Sequence, residues 1–315
     1  MLKPRALRPG DRVAVVAPAS SFARAEFDAG LAELRRLGYE PVFEESVFAR
    51  ARYTAGDASL RAAAFRRAWV DDSVAALIAV RGGYGSVQML PLLDPAEIRR
   101  TPKAFIGYSD NTSLLAWLTG ACGIVSFHGP MIEGRLARGE SAYDLDSFNR
   151  VLTRAAPAGA MTHPQVEALR SGEAAGLLIG GTLTQLLASL GTPFAFDPPA
   201  GHILFIDEVA ERPYRIDRML TQLRLSGLLS RASAIVFGEL PRCDEPGDSG
   251  PAIKAVVADL LDGFPGPVLF GLPSGHTSGA CITLPFGVQA RVVTAPSPAL
   301  IIEEAAVAAE GSAVA

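Results

Sequence analysis

One unit recurs along the first 130 or so residues: a short, wholly apolar run, a turn rich in glycine or polar residues, then a stretch with helical spacing. No other feature constrains the fold as much. Residues 13–17, 75–80 and 104–107 are such runs, 124–127 is one interrupted only by Ser126, and 41–43 is weaker. Between them, Phe27, Leu31, Leu34 and Leu37 fall on one helical face closed by Gly38, and 60–69, 87–93 and 111–118 also read as helical. Strands that are apolar throughout, not alternating, must be covered on both faces. The pattern therefore predicts a parallel α/β sheet with helices on either side.

The stretch 135–163 breaks the pattern, being rich in Ala, Gly, Ser and Arg. Strand–helix units then resume, with strands expected at 175–179, 203–206, 234–237 and 268–270 and helices at 182–190, 214–225 and 252–261. Ile216, Met219, Leu220 and Leu223 form the apolar stripe of the middle helix. After His276 short β runs take over at 282–284, 288–293 and 299–302. The 315 residues thus divide into an N-terminal α/β domain (1–154), a linker (155–170), a β-rich C-terminal α/β domain (171–303) and a frayed tail (304–315).

Several function classes drop out. With 29 Lys and Arg against 33 Asp and Glu, the net charge of −4 does not fit a nucleic-acid binder. No apolar run reaches the roughly 18 residues that span a membrane. No apolar segment precedes Gly10-Asp11, so the expected location is the cytoplasm. Cys122, Cys243 and Cys281 form no C-x-x-C pair and read as small buried hydrophobes. The four histidines make no zinc-hydrolase motif, and no metal or organic cofactor is expected.

Conspicuous polar clusters sit just after strands, where α/β sheets bind ligands. Arg81-Gly82-Gly83, Ser109-Asp110, Asp207-Glu208 and His276 all do so. Taken singly, each has an unremarkable explanation. Ser109 or Asp110 would cap the helix that follows. A buried carboxylate at 207 or 208 would pair with Arg212, Arg215 or Arg218, with a histidine as the other option. His276 would be a solvated loop residue, and Gly180-Gly181 would allow close helix–strand packing. Arg81-Gly-Gly-Tyr-Gly-Ser lacks the Lys of a phosphate loop but can bring backbone N–H groups close to a reacting carbonyl. Taken together, serine, acid and histidine are the parts of a nucleophilic triad, although 107–111 is not a G-x-S-x-G elbow.

The series Arg81-Gly-Gly-Tyr-Gly, Gly107-Tyr-Ser-Asp, His128-Gly-Pro, Gly180-Gly-Thr-Leu, Ile203-Leu-Phe-Ile-Asp-Glu-Val, Pro213-Tyr-Arg-Ile-Asp-Arg-Met-Leu and Gly275-His resembles the LD-carboxypeptidases, serine peptidases with a Ser-His-Glu triad. The resemblance runs from about Asp11 to Val293. It implies a flavodoxin-like parallel-sheet domain, a β-rich second domain, a site at their junction, and a homodimer. It implies release of terminal D-Ala from murein tetrapeptide during cell-wall recycling, the segment from Pro213 to Leu220 being closer to the murein branch than to the branch that cleaves microcin C-type peptidyl adenylates. Carried over, Ser109 is the nucleophile and His276 the base, and the amides of Gly83 and Asp110 form the oxyanion hole. The family usually reads Glu-Asp where this chain has Asp207-Glu208. Register from Pro213 favours Asp207 as the acid, with Glu208 as rival, because neighbouring strand residues face opposite ways. The non-enzymatic alternative is a small-ligand-binding protein.

Overall fold

The computed structural model describes residues 1–245 and 252–309. In the first half, β1 (Arg12–Val16), β2 (Glu40–Val42), β3 (Val74–Ala79), β4 (Ala104–Gly107) and β5 (Ser126–His128) lie parallel in the order β2-β1-β3-β4-β5. This is the flavodoxin-like order, with helices crossing on both faces. β3 is buried at every position, as a strand covered on both sides must be. The expected helix at 87–93 is a 3₁₀ segment, Ser86–Leu92, with Pro91 inside it.

The second half supplies β6 (Pro157–Met161), β7 (Glu167–Arg170), β8 (Glu173–Thr182), β9 (His202–Asp207), β10 (Ala232–Phe237), β11 (Val268–Phe270), β12 (Leu284–Phe286), β13 (Val288–Val293) and β14 (Ala299–Ala305). Eight of these form one sheet in the order β6-β14-β13-β8-β9-β10-β11-β7, in which β8 to β11 are mutually parallel and the other pairings antiparallel. The ninth, β12, crosses over and pairs antiparallel with β5, Leu284 opposite His128. The second half thus completes the sheet of the first.

Two expectations need correcting. The stretch expected as a linker, 155–170, contains β6 and β7, the two edges of the second sheet. Edge strands tolerate Pro157 and charged residues such as Glu167 and Arg170, so their composition resembles a loop. The tail is not frayed from 304: Glu304 and Ala305 finish β14, and Ala308 N–H donates to Pro4 O (2.8 Å) while its carbonyl accepts from Ala6 N–H (2.9 Å). The rest of that expected tail, 310–315, lies outside the described residues.

β9 alternates between two cores. Ile203 and Phe205 join the core shared with the first sheet, whereas Leu204 and Ile206 face Leu220, Leu223 and Val257 on the far side. The period of two therefore turns Asp207 toward the first sheet and Glu208 away from it.

Candidate active site

The Ser109 turn begins where β4 ends. Tyr108 is extended, Ser109 takes φ +64°, and a short 3₁₀ turn, Ser109–Asn111, leads into the helix Thr112–Gly120. A non-glycine residue in the left-handed region is uncommon and persists only where its surroundings impose it. Neither Ser109 nor Asp110 caps the helix, contrary to the simplest expectation. The Asp110 carboxylate accepts instead from Ser86 N–H (2.8 Å), and burial raises its pKa. Bare backbone walls one side of Ser109. A Cβ on Gly82 would lie 2.9 Å from Ser109 Oγ and 3.2 Å from the Asp110 nitrogen, whereas one on Gly83 would meet Ser20. The first amides of the helix beyond have no intrahelical partner.

Asp207, fully buried at the end of β9, accepts from His276 Nδ1–H at 2.7 Å and from the His276 backbone N–H at 3.1 and 3.2 Å. The arginines expected as partners lie elsewhere: Arg212 pairs with Glu245 and Arg215 with Glu211. Glu208 turns the other way, accepting from Thr184 N–H (2.9 Å), Thr184 Oγ1–H (2.7 Å) and Val209 N–H (3.0 Å). Asp207 and not Glu208 therefore orients the imidazole. His276 is no bystander: its side chain is 17% exposed, and its ring meets Tyr108, the residue before Ser109, edge to face at 5.1 Å between centroids. Burial draws the His276 pKa down, but the charge of Asp207 and its hydrogen bond outweigh this and leave the pKa raised.

The loop carrying His276 is held from both sides. Gly275 has φ +73°, and a Cβ there would sit 2.5 Å from His128 Cε1 and inside contact distance of Asp207 Oδ2. Arg135 donates through both terminal nitrogens to the carbonyls of Gly275 (2.9 Å), Thr277 (2.9 Å) and Gly279 (3.0 Å). His128 is fully buried. Ser274 Oγ donates to Ile282 O (2.8 Å) and so accepts from His128 Nδ1–H (3.1 Å), which leaves His128 Nε2 bare, 3.9 Å from Asp207 Oδ2. Burial lowers its pKa to about 4. Sequence reasoning assigned no role to Arg135 or His128. The His128-Gly-Pro motif was visible, but nothing in the sequence pointed to Arg135.

Gly180 and Gly181 serve close packing: a Cβ on Gly180 would strike Phe205 O, and one on Gly181 the Thr112 side chain. All three cysteines are buried and free, and burial raises Cys243 and Cys281 to about 11 and Cys122 to about 12, so none is poised as a nucleophile. Among the described residues, no cluster of three His, Cys, Asp or Glu side chains could hold a metal ion, and no helix is long and apolar enough to cross a membrane.

The family model of the LD-carboxypeptidase N-terminal domain matches residues 13–129, and that of the C-terminal domain matches 175–292. The chain belongs to the LD-carboxypeptidase family. The murein tetrapeptide carboxypeptidase of Pseudomonas aeruginosa is 32% identical over 276 residues, covering 84% of this chain and 88% of its own. The solved muramoyltetrapeptide carboxypeptidase from Oxalobacter formigenes is 31% identical with a TM-score of 0.82, covering 93% of this chain and 99% of its own. The microcin C7 self-immunity protein MccF in complex with aspartyl sulfamoyl adenosine is 26% identical with a TM-score of 0.90, covering 98% of this chain and 100% of its own.

Proposed function

We propose that this protein is a serine carboxypeptidase that hydrolyses the L,D bond releasing terminal D-Ala from murein tetrapeptide. The observation that carries the reading is the buried Asp207 carboxylate on His276 Nδ1 at 2.7 Å, with the imidazole packed against Tyr108 beside the left-handed Ser109. With Nδ1 occupied, Nε2 is the base. It takes the proton of Ser109 Oγ as that oxygen attacks the peptide carbonyl. The developing oxyanion points at the Gly83 and Asp110 amides, each worth on the order of 3 kcal/mol by analogy with other such donors. The imidazolium, stabilised by Asp207, then protonates the leaving nitrogen. Water attacks the acyl-enzyme by the same route in reverse.

The names of the Pseudomonas and Oxalobacter relatives support the substrate. The proposal extends to cell-wall recycling in the cytoplasm and to a homodimer, both carried by the family resemblance. The test offers diaminopimelate tetrapeptide and a peptidyl adenylate analogue to the wild-type chain and to Ser109→Ala. D-Ala release by the wild type alone supports the reading. Preferential cleavage of the adenylate analogue moves the protein to the other branch, and binding of either without turnover makes it a binding protein.

A further inference from the structure

Beside His276 opens a cleft of about 260 Å³, lined among others by Arg135, Val209, Pro241, Arg242, Thr277 and Ser278. It holds two cations in different states. Arg135 already spends its terminal nitrogens on backbone carbonyls. Arg242 is exposed and, among the described residues, makes no hydrogen bond or ion pair. Among the described residues, the carboxylates beside it in sequence or lining the same loop are engaged elsewhere. Glu211 pairs with Arg215 and Glu245 with Arg212. Asp244 accepts from Ile253 N–H, and Glu239 accepts from Thr277 Oγ1–H and Ser278 N–H.

The turn that presents Arg242 is strained. Leu240 and Arg242 have φ of +51° and +59°, with Pro241 O between them accepting from Ala210 N–H at 3.0 Å. Two non-glycine residues held left-handed in one turn mark a conformation imposed by its surroundings, and such turns gather at binding sites.

We propose that Arg242 receives the free α-carboxylate of the residue that leaves. The inference rests on the peptidase reading above. His276 protonates the leaving nitrogen, so the departing residue lies on its side of the scissile bond, where this cleft is. In a carboxypeptidase substrate that residue carries the chain's terminal carboxylate one Cα away from the leaving nitrogen. The cleft falls below the roughly 300–1,000 Å³ of sites for drug-sized ligands, a size suited to one small residue. Val209 and Pro241 give a methyl side chain an apolar wall.

The experiment compares diaminopimelate tetrapeptide with its C-terminal carboxamide on the full chain. A charge-assisted pair predicts that the wild type favours the acid by about 10- to 100-fold in kcat/KM. Arg242→Gln, an exposed position, is expected to collapse that ratio toward unity mainly through KM, and Arg242→Lys to restore part of it. A wild type indifferent to the carboxamide, or an Arg242→Gln variant that keeps the full ratio, overturns the assignment and leaves the peptidase reading intact. No D-Ala release from the acid by wild type overturns both.

Discussion

Asp207→Asn changes one atom of the site and nearly nothing of its volume. The carboxylate accepts from the His276 backbone N–H, from Nδ1–H at 2.7 Å, and from Thr182 Oγ1–H at 3.4 Å. An amide offers one acceptor oxygen. The fixed backbone N–H claims it, because a backbone donor buried without a partner is costly. The NH₂ then faces Nδ1, which must become an acceptor, and the ring proton moves to Nε2, where the base needs its lone pair. The equivalent swap in the chymotrypsin-type triad costs about 10⁴ in kcat, which is about 5.5 kcal/mol of barrier. We expect a loss of about 10³- to 10⁴-fold here, read as D-Ala release from saturating tetrapeptide by a coupled D-amino acid oxidase assay. Glu208→Gln is the control. It keeps an acceptor oxygen for the two Thr184 donors, gives up the bond from Val209 N–H, and touches no part of the imidazole, so its loss in kcat should stay within about tenfold. A large loss in Glu208→Gln with a mild one in Asp207→Asn would refute the assignment, as would equal mild losses in both.

Activity needs His276 neutral, so kcat/KM should rise with pH through an apparent pKa above the ordinary 6.5, and the limb should move to lower pH in Asp207→Asn, where burial has lost the charge and hydrogen bond that chiefly oppose it; an unmoved limb would contradict the pairing. His128 carries a stability prediction of definite sign. Its folded pKa of about 4 lies below the unfolded value of 6.5, so the unfolded chain binds more protons between those limits and stability falls as pH drops through them, by up to about 3 kcal/mol. His276 runs the other way, but its contribution is complete below pH 6.5 and fades only above it. Urea midpoints from pH 7 to 4 should therefore fall less steeply in His128→Gln than in the wild type, and parallel curves would refute the point. Gly275→Ala places a methyl against Asp207 and His128 at φ +73°, and should cost about 1–3 kcal/mol of stability and on the order of 10²-fold in kcat. Wild-type activity in that variant would mean the loop is not held as described.

The first sheet was legible because its inner strands are buried on both faces and so read as unbroken apolar runs; β3 is the plainest case. β6 and β7 were not, since edge strands carry the prolines, glycines and charges of loops and find their partners, β14 and β11, about a hundred or more residues away. The positions of Ser109, Asp207 and His276 at strand ends were visible, but the pairing of His276 with Asp207 and its packing on Tyr108 were not, because they depend on three elements from two sheets. The choice between Asp207 and Glu208 followed from the period of two along β9 once its two cores were known. Arg135 gave no sign, because its partners are backbone carbonyls about 140 residues further on, and backbone leaves no pattern in side chains.

The central claim is that Ser109 becomes the acyl carrier. Rapid-quench mass spectrometry of the wild-type chain mixed with diaminopimelate tetrapeptide tests it most directly. The account predicts a transient adduct on the Ser109 peptide, equal to the acyl tripeptide less water, and neither adduct nor D-Ala release in Ser109→Ala. An adduct on another residue, or undiminished D-Ala release by Ser109→Ala, would contradict it.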